Sequence, residues 1–113
     1  MSESGIVFFA TENHDAVVEF YTELVGATLW KDQPGCTILE RGDFRFGFCE
    51  REATDDCGIL TFVYEDRTGV DRMHEVVGDA AEGPPAYNET YDLYQFFAED
   101  PDGRSVEFQV FED

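Results

Sequence analysis

Few residues in this sequence could do chemistry, and they stand in recognisable places. Glu107 lies in Ser105-Val106-Glu107-Phe108-Gln109-Val110-Phe111, an alternating segment that follows Asp100-Pro101-Asp102-Gly103. Pro101 presets φ at the second turn position and Gly103 accepts positive φ, so the segment predicts a hairpin with a strand on either side. A carboxylate turned inward from such a strand is costly unless something compensates it. Glu107 therefore has two readings. It anchors a cationic or hydrogen-bonding group of a small ligand, or acts as a general base. Otherwise it is a structural acid paired with water or an arginine, Arg45 and Arg104 being the possible partners. Gln109 points the same way as Glu107 if the strand alternates.

The remaining polar candidates read as structural. His14 sits at the start of a first helix and His74 on a second, and they are the only 2 histidines. Cys36, Cys49 and Cys57 are odd in number and contain no C-x-x-C, so no zinc or redox motif can be built and three reduced thiols are expected. No glycine-rich phosphate loop follows a strand and no G-x-S-x-G occurs. The Asp-Pro-Asp-Gly segment resembles part of a calcium loop but lacks the later Glu spacing, so it reads as a turn. Rings are abundant: Phe44, Phe46 and Phe48 on one strand face, and Tyr87, Tyr91, Tyr94, Phe96 and Phe97 further on. Most must fill the core. Phe46 and Tyr91 are the rings assigned to a pocket wall, with Glu107 and Gln109 as its polar groups.

These residues are positioned by a repeated plan. Gly5 to Ala10 is a short apolar strand, and Asn13 or Asp15 caps a helix whose Val17, Phe20, Tyr21 and Leu24 share one face. Gly26 ends it. Strands follow at Thr28 to Lys31, Thr37 to Arg41 and Phe44 to Glu50, with Gly42-Asp43 turning between the last two. The second half has the same order: a strand from Ile59 to Tyr64, a helix capped by Asp66 or Thr68 with Val70, Met73, His74 and Val77 on one face, then strands at about Tyr87 to Thr90, Tyr91 to Glu99 and Ser105 to Phe111. A shift of about 52 residues lays Val7 on Ile59, Val18 on Val70, Tyr21 on Met73, Val25 on Val77 and Gly26 on Gly78. Each half is a strand, a helix and three strands, and neither can bury both faces of its sheet alone. The polar stretch 51–58 links them.

Phe20-Tyr21-Thr22-Glu23-Leu24-Val25-Gly26-Ala27, after the first strand, and Asp100-Pro101-Asp102-Gly103-Arg104-Ser105-Val106-Glu107, near the end, resemble the vicinal oxygen chelate superfamily, which includes glyoxalase I, extradiol dioxygenases and bleomycin-resistance proteins. With the repeat between them, the resemblance covers nearly all of the chain. It implies an α+β fold in which paired βαβββ modules, about 5–50 and about 59–111, form a cupped mixed sheet with helices outside. The whole of 1–113 is then one domain, usually within a homodimer. Metal-dependent members place ligands at four inward positions, which fall here on Val7, Phe46, Ile59 and Glu107. Three are apolar, and a one-residue slip would offer Phe8, Arg45, Leu60 and Val106 or Phe108 instead, so no metal set is expected.

Composition sets the class. The chain has 113 residues, 42% of them hydrophobic, enough for a core. There are 26 Asp+Glu against 7 Lys+Arg, a net charge of -19, and Lys31 is the sole lysine. The acids are spread along the whole length, which reads as adaptation to a salt-rich cytoplasm. An acidic surface for a basic partner or calcium is the competing reading. No basic stripe exists for nucleic acid, no apolar run spans a membrane, and Met1-Ser2-Glu3-Ser4 is not signal-like; a cytoplasmic protein is expected. The reading is a glyoxalase/bleomycin-resistance-like protein that binds a small aromatic or cationic molecule without metal or other cofactor. The alternatives are a metal-dependent lyase or dioxygenase, drawing on donors such as Glu40 or Glu50 across a dimer interface, and a non-catalytic structural or regulatory dimer with a filled cup.

Overall fold

Short, ring-rich alternating segments form strands, and the amphipathic stretches between them form helices that cover one face of each sheet. In the computed structural model, residues 3–112 are described, and they divide into two compact units, one up to Asp55 and one from Asp56. The first unit runs β1 (Val7–Thr11), α1 (His14–Glu19), a π-helical turn (Phe20–Leu24), β2 (Thr28–Gln33), β3 (Cys36–Arg41) and β4 (Phe44–Glu50). The second runs β5 (Ile59–Val63), α2 (Arg67–Val77), a 3-10 turn (Gly78–Ala80), β6 (Ala86–Asn88), β7 (Leu93–Glu99) and β8 (Ser105–Phe111). Each unit holds its own four-stranded mixed sheet, ordered β1-β4-β3-β2 and β5-β8-β7-β6. In both, the first strand lies parallel to the last, and the other pairs are antiparallel. Among the described residues no helix is long and apolar enough to cross a membrane.

The parity of each strand decides what faces the helix. In the first unit, Tyr21 packs on Phe46 and Phe48 with ring centroids 5.3 and 5.2 Å apart, and Phe44 stacks on Phe46 at 5.0 Å. The Phe44, Phe46, Phe48 wall is therefore the core beneath the helix. Arg45, Gly47 and Cys49 fall on the opposite, open face. There the Phe8 ring covers Gly47 so closely that an added Cβ would sit 2.7 Å from it, which makes glycine a requirement of that contact. In the second unit, Phe62, Phe96 and Phe108 stack beneath α2, and His74 sets its ring edge-on to Phe96 at 5.1 Å. Asp66 caps α2 by accepting from the Gly69 amide at 2.9 Å. Asn13 precedes α1 without a side-chain cap; His14 instead shares hydrogen bonds with Asp15 and Thr37, which ties that helix start to β3.

The repeat is not in uniform register. Val17 and Phe20 are buried where Val70 and Met73 are, so the helices align one residue away from the spacing that aligns Gly26 with Gly78. The first unit has one more residue between these points, and the π-helical turn takes it up. Strand parity shifts with it. Ile59 and Glu107 lie on the open face of their unit, as expected, but Val7 and Phe46 pair on the helix side of theirs. The uniform 52-residue shift expected from sequence is corrected here, because an odd offset exchanges the faces of a strand.

Two further corrections come from side-chain partners. Cys36 and Cys49, expected as free thiols, are directly opposed on β3 and β4 and joined as a disulfide, with Cα atoms 4.0 Å apart. The signal was present in the sequence. A two-residue turn at Gly42-Asp43 sets Arg41 opposite Phe44, and counting back along both strands reaches Cys36 and Cys49 together. Cys57 is exposed and free. The two arginines weighed as partners for Glu107 pair with other acids: Arg45 with Glu40 at 2.9 Å, and Arg104, fully buried, with Asp100 at 2.6 Å and Asp102 at 3.2 Å. The hairpin turn is closed by Gly103 N–H donating to the Asp100 carbonyl and Asp100 N–H to the Arg104 carbonyl.

Candidate functional site

The open face of the second unit's sheet carries the polar residues that the sequence singled out. It is built row by row across the strands. Thr61, Glu107 and Phe97 are neighbours in one row, Val63, Gln109, Gln95 and Ala86 in the next, and Phe111, Leu93 and Asn88 in a third. Val106, Phe108 and Val110, which alternate with these on β8, are buried beneath α2. Hence Glu107 and Gln109 reach the open face because the apolar half of β8 is claimed by the helix.

A depression of about 500 Å³ lies on this face. β8 lines it with Glu107, Gln109 and Phe111, and β7 with Leu93, Gln95 and Phe97. Asn88 at the end of β6 and Tyr91 in the following turn complete it. Three of the four residues expected to bind ligand, Glu107, Gln109 and Tyr91, are thus brought together. Phe46, the fourth, is fully buried under the first unit's helix and lines no part of this depression. Gln95, Asn88 and Phe97 escaped the sequence reading. Their signal was the hairpin itself: once Asp100 to Gly103 turns the chain, Phe97 must oppose Glu107 and Gln95 must oppose Gln109.

Each polar group has a defined state. The half-buried Glu107 carboxylate accepts from Thr61 Oγ1 at 2.9 Å, with Thr61 directly opposite on β5. Gln95 Oε1 accepts from Asn88 Nδ2 at 3.2 Å. Asn88 Oδ1 accepts from the Thr90 and Tyr91 amides, an Asx turn that places the Tyr91 ring at the rim, 71% exposed. Gln109 is 7% exposed, and its Oε1 has no hydrogen-bond partner. The site therefore offers one carboxylate, a row of amides and three rings.

The four positions that the resemblance assigns to metal ligands carry Val7, Phe46, Ile59 and Glu107, and Glu107 is the one with a donor. The open face of the first unit carries Phe8, Arg45 and Gly47, with the Arg45 guanidinium held by Glu40 and lying 4.5 Å over the Trp30 ring. A guanidinium has no lone pair for a metal. Glu40, weighed as an alternative donor, is engaged by Arg45. Among the described residues no group of three or more His, Cys, Asp or Glu is arranged to hold a metal ion. The residues present do not fit a metal at these positions.

Across known proteins, no family profile and no curated sequence matches this chain. Solved structures do. A glyoxalase/bleomycin resistance protein/dioxygenase family enzyme from Burkholderia phytofirmans superposes with a TM-score of 0.80 at 20% identity, covering 93% of this chain and 95% of that one. A glyoxalase-related enzyme from Fulvimarina pelagi gives 0.79 at 15% identity over 97% and 88%. A lactoylglutathione lyase from Agrobacterium tumefaciens gives 0.76 at 19% identity over 97% and 94%. The chain has the glyoxalase/bleomycin-resistance fold, the fold of the superfamily its sequence resembles.

Proposed function

We propose that this protein binds a small planar molecule, aromatic or cationic, on the open face of its second unit, without a metal ion. The observation that carries this reading is the placing of one carboxylate, Glu107, among Phe97, Phe111 and Tyr91 in a depression of about 500 Å³. Rings supply stacking area, a carboxylate selects positive charge or N–H donors, and small-ligand sites are characteristically apolar with a few polar groups. Two of the structural neighbours are described as a glyoxalase/bleomycin resistance protein/dioxygenase family enzyme and a glyoxalase-related enzyme, which accords with this reading.

The test is a thermal shift with flat aromatic cations. A ligand at about 100 times its Kd stabilises the native state by about 2.7 kcal/mol. Wild-type protein is expected to show that rise, and Glu107→Gln, which keeps the side-chain shape and an acceptor for Thr61, to lose most of it. An equal shift in both proteins would sink the role of Glu107. Near-stoichiometric transition metal in protein purified in molar KCl without chelator would overturn metal independence and favour the lyase or dioxygenase alternative.

The reading extends to a homodimer, as the resemblance implies, and to a salt-rich cytoplasm, supported by the acidic composition. The Cys36–Cys49 bond stands against a reducing compartment, since disulfides persist mainly in oxidising ones. Alkylation of the protein at cell lysis decides between them: three blocked cysteines accord with the cytoplasm, and Cys57 alone with an oxidising compartment.

A further inference from the structure

The open face of the second unit holds an acceptor that nothing in the protein satisfies. Gln109 Oε1 is buried and without a partner, in a side chain only 7% exposed. A buried polar atom left unpaired costs about 1–3 kcal/mol, and such atoms are rare in native proteins. An apolar residue would avoid that cost, yet this glutamine lines the depression. Its cross-strand neighbour is Gln95, directly opposite on β7, with Cβ atoms about 4.5–5.5 Å apart as for any such pair. Gln95 Oε1 already accepts from Asn88 Nδ2, and the Gln95 NH2 is its donor. Side by side, the pair supplies a buried, unmatched acceptor and a donor.

We propose that Gln109 and Gln95 read the edge of a flat cyclic amide, an N–H beside a C=O as in a lactam, imide or pyrimidinone ring. This rests on the small-molecule reading above and names its ligand class. The ligand N–H donates to Gln109 Oε1, and the ligand carbonyl accepts from Gln95 Nε2. Other chemistries match less well. A simple cation uses Gln109 and Glu107 but leaves the Gln95 donor idle. A carboxylate uses Gln95 but sets its lone pairs against Gln109 Oε1 and its charge near Glu107. Glu107 lies two residues along β8 from Gln109, about 7 Å at strand spacing, close to the length of a fused bicyclic ring. The carboxylate thus takes a second N–H or a positive charge at the far end of the ligand, with Phe97 beside it in the same row.

Three probes of one shape test this by calorimetry and thermal shift: isoquinolin-1-one, its N-methyl derivative and the N-methylisoquinolinium cation. Wild-type protein is expected to bind the N–H compound about tenfold or more tighter than its N-methyl form, because methylation leaves the Gln109 acceptor unpaired. That ratio is expected to fall to near unity in Gln109→Leu, and in Gln95→Leu should the first variant fold poorly. Equal affinity for the two neutral probes in wild type overturns the amide reading, while binding of the cation leaves the broader function standing. No binding of any of the three overturns both.

Discussion

Gln109 carries a tension between stability and function. Replacing it with leucine removes a buried acceptor that has no partner, and the leucine fills similar space. Gln109→Leu is expected to stabilise the unliganded protein by about 1 kcal/mol in urea melts while abolishing selectivity for the amide edge. A destabilisation of that size instead would mean that the amide is satisfied in solution. A second residue-scale prediction concerns the tyrosines by α2. Tyr94 donates its hydroxyl to Asp71 at 2.6 Å, and this bond, then burial and the Asp71 charge, raise its pKa above the ordinary 10, opposed by Arg67 over its ring. Tyr87 is raised likewise by Asp92. A raised folded-state pKa means that the contribution to stability is whole below the unfolded value near 10 and fades as pH climbs through the folded one. In ultraviolet titration Asp71→Asn should bring one phenol back toward pH 10; an unmoved curve would remove Asp71 as the cause. Glu107 and Gln109 were placed on one face from the sequence because a turn with fixed chemistry sets the parity of β8, whereas Tyr91, expected to open a strand, lies in the turn before β7. Phe46 was assigned to a pocket wall, but the alternation of β4 sets it with Phe44 and Phe48 beneath the helix.

At the scale of elements, the hairpin between β7 and β8 is held by an ion cluster buried in the fold. Arg104, Asp100 and Asp102 are side chains with no exposure, bonded to one another, while the Asp100 carboxylate also accepts from the Asp102 and Arg104 amides. Arg104→Met would remove the arginine that pairs with two buried carboxylates, a loss of about 3–5 kcal/mol. A chemical melt that shows less than about 1 kcal/mol would mean that water reaches those carboxylates. Because this hairpin sets Gln95 opposite Gln109, the same variant should also blunt ligand selectivity. Strands and helices were largely legible here: β4 and β8 fall at the expected residues, while β2 runs two residues longer and β7 begins at Leu93, not Tyr91. What periodicity could not carry was the interplay of pairs. The Cys36–Cys49 bond and the choice of Asp100 by Arg104 are facts about register, visible only once both partners are laid side by side.

For the whole molecule, a net charge of -19 sets the conditions under which any of this holds. Three of the arginines are already engaged in ion pairs with nearby acids, Arg45 with Glu40, Arg67 with Glu112 and Arg104 with its aspartates, so repulsion among the other acids is left to salt. Screening shortens from about 10 Å at 0.1 M to about 3 Å at 1 M. A rise in melting temperature of about 5–10 °C is expected between those KCl concentrations, equivalent to about 1–2 kcal/mol; equal or greater stability at low salt would refute adaptation to salt. The strand order has a consequence in time as well. In both units the final strand to be synthesised, β4 or β8, is the one that bridges the first strand to the rest of the sheet. Neither sheet can close until that segment has left the ribosome. At about 5–20 residues per second, the first unit gains roughly 3–12 s in which to fold before β8 is made. A nascent chain that stops before Ser105 would then carry one finished unit and one sheet split in two, with β5 and β7 each lacking their shared neighbour. Translation errors in this protein would expose themselves to proteases as open strand edges attached to an intact, well-folded half.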